Sequence, residues 1–277
     1  MPGKSAASLH AADGSFVFER DPATTYSVGS CFKAFVAAQA FREVAAGTAT
    51  LAELLPLDDS VYMPGATAFV PQLKGAAPLD IALQEMIAYS DNTATDMVLK
   101  RVGAQNVRDF VANAGFASVR IPESTRAVFS YAAGLPIGTI ATYRQLFGLD
   151  PAPPGLVPRG VANDTVGMRS SMRDMVAFYR RALAGEFFGG KALEGFRVTM
   201  STGSGLAEAA IPSGSAAYMK GGSYNGPQSG ICVSGAMLTG PKTLYFAIAA
   251  NWEGDVDWDA RSSGFLASVK AILGLVR

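Results

Sequence analysis

The chain has 277 residues, of which 49% are apolar and 17% charged, and its 23 basic side chains are balanced by 23 acidic ones. That composition supplies a large buried interior, and it excludes a disordered chain, a nucleic-acid footprint and a polybasic membrane patch. The length suits one large domain or two interleaved ones, and no apolar run approaches the roughly 18 residues that a membrane-spanning helix requires.

In chain order, residues 6–11 and 15–20 alternate in polarity around Ala12-Asp13-Gly14, a pattern that predicts two strands joined by a tight hairpin rather than the apolar core of a signal peptide. The period then changes. Phe32, Val36, Ala40 and Val44 recur at helical spacing up to Gly47, which places Ser30 at the start of a helix. Further helices are predicted from Pro78 to Tyr89, Thr93 to Val102 and Ala104 to Asn113, punctuated by Gly103 and Gly115.

Between Gly134 and Asn163 the run Leu149-Asp150-Pro151-Ala152-Pro153-Pro154-Gly155 breaks any regular element and reads as an extended surface loop. Its Pro-rich part, Pro151 to Pro158, is expected to be a mobile flap near the cleft, and Leu156-Val157-Pro158-Arg159-Gly160 resembles a thrombin recognition sequence. An amphipathic helix carrying Met172, Met175, Val176, Tyr179 and Leu183 follows and stops at Gly185. Strands are predicted at Ala216–Lys220, Gly230–Leu238 and Thr243–Asn251, and a last helix at Arg261–Leu275. Strands at both ends around a helical middle give an α+β fold: an antiparallel sheet built from residues 1–29 and 213–277 with flanking helices, and an inserted helical lobe over 30–212.

The only histidine, His10, lies on the first predicted strand. A Ser-His-Asp triad or a histidine zinc site would have to be built on it, so it reads as structural, and any nucleophile here needs a base other than histidine. Cys31 and Cys232 are expected to be free, buried thiols.

Three short motifs carry the chemistry. Ser30-Cys31-Phe32-Lys33 puts a hydroxyl and an amine on one face of a helix start, where a lysine of lowered pKa can take the serine proton. Ser90-Asp91-Asn92 opens a second helix, and Lys220-Gly221-Gly222 ends a strand. Each alone is common as a cap or turn, but their joint occurrence in this order is specific.

Together these motifs resemble those of the penicillin-recognising serine enzymes, the class A β-lactamases and penicillin-binding proteins. Leu79 to Leu99 and Asp164-Thr165 leading into Met168–Gly185 are also similar to class A segments. Val28-Gly29-Ser30, Thr142-Tyr143-Arg144-Gln145-Leu146-Phe147 and Lys220-Gly221-Gly222-Ser223 look more like an outlying branch that includes the β-lactamase-like enzyme of clavulanic acid gene clusters, with its esterase-type activity. The resemblance implies Ser30 as acylated nucleophile, Lys33 as base or relay, and Ser90 as proton carrier to the leaving nitrogen. It further implies substrate contacts from Asn92, Lys220, Gly222 and Ser223, with the Ser30 and Ser223 amides as oxyanion hole.

It also implies no metal or organic cofactor, a small-molecule substrate, a monomer, and a periplasmic or secreted location. The chain departs from the pattern at Gly221, where a hydroxyl residue is usual, and at the deacylating glutamate. Thr125 falls near that glutamate's position and Glu123 is the only acid close by, a possible base out of register. Slow deacylation of β-lactams is therefore expected. A D-Ala-D-Ala peptidase, an esterase, a glutaminase and a non-catalytic ligand-binding homologue are the alternatives on this fold.

Overall fold

A computed structural model of the chain describes residues 3–226, 228–240, 242–254 and 257–275. Strands β1 (Lys4–Ala11) and β2 (Phe16–Arg20) form the predicted hairpin, closed by Gly14 donating to Ala11 O and Ser15 to Asp13 Oδ1. Near the middle come β3 (Thr25–Ser27), β4 (Leu54–Leu57), β5 (Gly75–Pro78) and β6 (Arg169–Ser171), and at the end β7 (Ala216–Tyr224), β8 (Gln228–Thr239) and β9 (Lys242–Glu253). The main sheet is antiparallel with order β2-β1-β9-β8-β7, so both chain ends complete it as the sequence predicts.

Alternation along β8 and β9 gives the sheet two unlike faces. Ile231, Val233, Phe246 and Ile248 meet Phe265, Val269 and Leu273 of the C-terminal helix α10 (Trp258–Leu275). The opposite face presents Cys232, Ala236, Ala247 and Ala249, small residues over which helices approach closely. Each fully buried Ile, Val or Phe there contributes about 1.5–3 kcal/mol.

Helix α1 (Lys33–Ala45) runs through the second core with Phe35, Val36, Ala37, Ala38 and Ala40 sealed from solvent. A helix apolar on every side must be surrounded. Here α2 (Leu79–Ala88), α3 (Asn92–Val102), α4 (Ala104–Asn113), α7 (Met172–Leu183) and α8 (Gly190–Ser201) do so, with Phe35, Phe116 and Phe178 in edge and tilted ring contacts. His10 faces Glu19 (3.2 Å) and Ser8 (3.1 Å) on the first hairpin and packs edge-on against Phe16, a structural placement.

The predicted loop before β6 is more structured than its prolines suggest. It is preceded by an unforeseen helix, α5 (Thr125–Ala132), capped by Ser124, and holds a short turn of helix, α6 (Tyr143–Leu146), closed by a capping box between Thr142 and Gln145. It is also tied down: Tyr143 packs edge-on against Tyr62, and Arg126 Nε donates to Ala141 O. Arg159 stacks 4.5 Å over Tyr131, while its amide donates to Ala132 O (2.7 Å) and its guanidinium to Leu135 O (2.6 Å). These ties flank the Pro151–Pro158 segment expected to be a mobile flap, whose residues are largely exposed. Thrombin is expected to leave the folded protein intact under conditions that cleave an unfolded control at Arg159; rapid cleavage of the native chain, read by gel and mass, would show that these ties do not hold.

Candidate active site

The turn that carries Ser30 is a single 3₁₀ turn, Gly29–Phe32, that runs straight into α1 at Lys33. It is clamped against β7. A Cβ on Gly222 would overlap Val28 O and lie 2.5 Å from Ser30 N and 2.7 Å from Cys31 N, so only glycine fits there. The same approach sets the Ser223 amide against Gly29, 3.0 Å from where a Cβ on that glycine would stand. The two cysteines lie behind the turn as unpaired, buried thiols, with Cys31 donating to Lys220 O at 3.1 Å.

Lys33 is sealed from solvent. Its Nζ donates to Ser90 O (2.6 Å), Ser90 Oγ (3.2 Å) and Asn92 Oδ1 (2.9 Å). The direct Ser30–Lys33 hydrogen bond suggested by the motif is not formed among the described residues, because the acceptors at the α2–α3 junction engage the amine. Such bonds commonly tighten only when substrate is present. Burial first, and then the charge of Lys220, push the Lys33 pKa well down, while Asp91 and Asp96 act in the opposite sense. Lys220, buried on β7, is itself lowered to about 8 by burial.

The second motif is held in a strained, fully bonded junction. Ser90 has a positive φ of 60°, which is uncommon for a residue with a side chain. Asp91 is inaccessible and caps α3 through Ala94 N (2.8 Å), while its other oxygen accepts the amides of Thr67 (3.0 Å) and Ala68 (3.2 Å). Asn92 Nδ2 donates to Pro64 O (2.8 Å). Asp91 and Asn92 together lash the segment before β5 beside the lysine.

Position 221 has a physical explanation that the sequence did not offer. A Cβ there would lie 3.0 Å from Ala207 N and 3.1 Å from Leu206 Cβ of helix α9 (Leu206–Ala210). A side chain there would press on α9, which would have to give by a few tenths of an ångström.

Glu123 is not brought to this cluster. Ser124, extended, caps Ala127 N, Thr125 opens α5 with a buried side chain, and Glu123, just before the cap, points out. Its side chain is 72% exposed and pairs with Arg108 at 2.9 Å. In its stead Thr125, buried, donates to Asp96 Oδ1 (2.8 Å). Asp96 lies one turn after Asn92 on α3 and was not picked out in the sequence, where nothing but its helical phase with Asn92 could have marked it.

The fold is that of the class A β-lactamases. A β-lactamase from Chitinophaga pinensis superposes with a TM-score of 0.78 at 12% identity, covering 100% of this chain and 95% of that one. The chromosome-encoded β-lactamase of Vibrio parahaemolyticus gives 0.75 at 14% identity, covering 99% and 94%. A variant of the class A β-lactamase of the last common ancestor of Gram-negative bacteria gives 0.75 at 16%, covering 99% and 92%. No curated protein matches the sequence. A family model described as the β-lactamase enzyme family matches residues 3–227, and the chain belongs to that family.

Proposed function

We propose that this β-lactamase-family hydrolase works through an acyl-enzyme on Ser30, formed from a β-lactam, ester or amide carbonyl. The observation that carries the reading is the buried Lys33, held to Ser90 Oγ and Asn92 Oδ1 at the start of the helix that Ser30 precedes. A neutral amine there takes the Ser30 proton as Oγ attacks, and Ser90 relays it to the leaving group. The amides of Ser30 and Ser223 receive the developing oxyanion. Asn92 contacts the acyl side chain, Gly222 lets the carbonyl approach the turn, and Lys220 offers its charge to a substrate carboxylate.

Glycine at position 221 leaves the carboxylate subsite without a hydroxyl and favours a second reading, an esterase whose substrates need no carboxylate. With Glu123 turned to solvent, water beside the acyl group meets no carboxylate directly, so acylation outruns deacylation. Penicillin is expected to give a burst, then slow turnover, with an adduct on Ser30 persisting for seconds to hours in intact-mass spectra. A p-nitrophenyl ester and a chromogenic cephalosporin assayed side by side separate the two readings. Rapid steady-state penicillin hydrolysis without a detectable adduct would overturn slow deacylation, and reversible binding without any adduct would identify a non-catalytic homologue.

A further inference from the structure

The acid nearest in sequence to the α5 start is Glu123, yet the acid that its first turn bonds is Asp96, which is buried. Three donors converge on it from the first turn of α5: Thr125 N (2.7 Å) and Thr125 Oγ1 (2.8 Å) on one oxygen, and Arg126 N (3.1 Å) on the other. A helix cap needs only the amides. The hydroxyl contact adds something else, because a threonine that commits its proton to a carboxylate keeps its oxygen lone pairs for another donor. The same hydroxyl lies 3.5 Å from Asn92 O, and Asn92 holds Lys33. The hydroxyl therefore sits on the α3 face that Lys33 addresses.

We propose that Thr125 is the group that accepts a proton from the deacylating water, with Asp96 acting through it as the positioning carboxylate. This rests on the acyl-enzyme reading above. Water oxygen bonds to the acyl carbon, one water proton passes to Thr125 Oγ1, and the threonine's own proton passes to Asp96 Oδ1. The acyl C–O bond to Ser30 then breaks, Ser30 Oγ regains a proton, and Asp96 gives up the one it received. The step consumes one water and releases a carboxylic acid.

Burial raises the Asp96 pKa to about 6, against the lowering effect of the Thr125 and Arg126 hydrogen bonds and of Lys33. The charged groups facing it are Lys33 from α1 and Arg126 from α5; Arg126 also feels Asp59, and Asp91 faces Lys33 from the same end of α3. Above that pH the carboxylate is ionised and can draw the threonine proton; below it, the relay is blocked.

The test follows the decay of an acyl-enzyme formed with excess penicillin, by intact mass, between pH 5 and 8. Thr125→Val is expected to lengthen the adduct lifetime by about 100-fold, the lower end for a positioned general base, with the acylation rate close to that of the parent and the melting temperature lowered, because the buried Asp96 carboxylate loses a donor. Thr125→Ser restores the parent lifetime. Parental deacylation falls as pH drops through about 6, and Asp96→Asn abolishes that limb. Unchanged lifetimes in Thr125→Val, or a limb retained in Asp96→Asn, would overturn the relay while leaving the acyl-enzyme intact. Absence of both adduct and hydrolysis in the parent would instead overturn the acyl-enzyme reading, and the relay with it.

Discussion

Ser30→Ala is expected to abolish covalent labelling by penicillins and hydrolysis of esters, with no detectable adduct after hours, while the protein stays folded. The two halves of that result have separate causes. The Ser30 hydroxyl makes no hydrogen bond among the described residues, and the turn that carries it is set by backbone: Cys31 N donates to Val28 O, and Val28 N to Met168 O. Removing the oxygen therefore leaves no buried partner unsatisfied, and stability is expected to change by no more than about 0.5 kcal/mol, as for substitutions away from packed or networked sites. Melting curves and intact-mass labelling on the same preparation check both halves. Labelling at the parent rate would show that another group is acylated.

Much of this arrangement was legible in the sequence because it is written in local rules. The first hairpin shows as alternation around Asp13-Gly14, and α3 and α4 show as apolar periods broken by Gly103. The motif residues Ser30, Lys33, Ser90 and Asn92 stand where their caps and turns predict. What remained hidden depends on tertiary contact. Helix α8 has Gly190 and Gly195 within it, poor helix formers that disguise the segment, and Gly195 is explained only by Phe41, whose Cε1 would lie 2.7 Å from a Cβ at that site. Helix α5 is only eight residues long, and its start is fixed by Asp96, 29 positions earlier in the chain. No window of sequence contains that pairing, and so Glu123 drew attention that the geometry gives to Thr125.

Lys33→Ala is expected to slow acylation by at least about 100-fold, the usual scale for losing a general base, and the pH dependence of the parent enzyme carries the sharper information. The neutral amine is the reactive form, so labelling falls as pH drops and Lys33 becomes protonated. Because burial and the Lys220 charge both hold the Lys33 pKa well below its ordinary value, its neutral fraction at any given pH exceeds that of a solvated lysine. Lys220→Ala removes one of those two causes. The ammonium of Lys33 is then less disfavoured, its pKa rises, and the whole labelling profile is expected to move to higher pH. A neutral p-nitrophenyl ester is the probe of choice, since Lys220 then has no substrate carboxylate to meet and the midpoint reports on Lys33 alone. The melting temperature of Lys33→Ala is followed in parallel, because the acceptors Ser90 O and Asn92 Oδ1 lose a donor in a buried place. A profile that stays put in Lys220→Ala, or acylation of Lys33→Ala at the parental rate, would remove the lysine from the role of base and leave Ser90 as the next group to be tested.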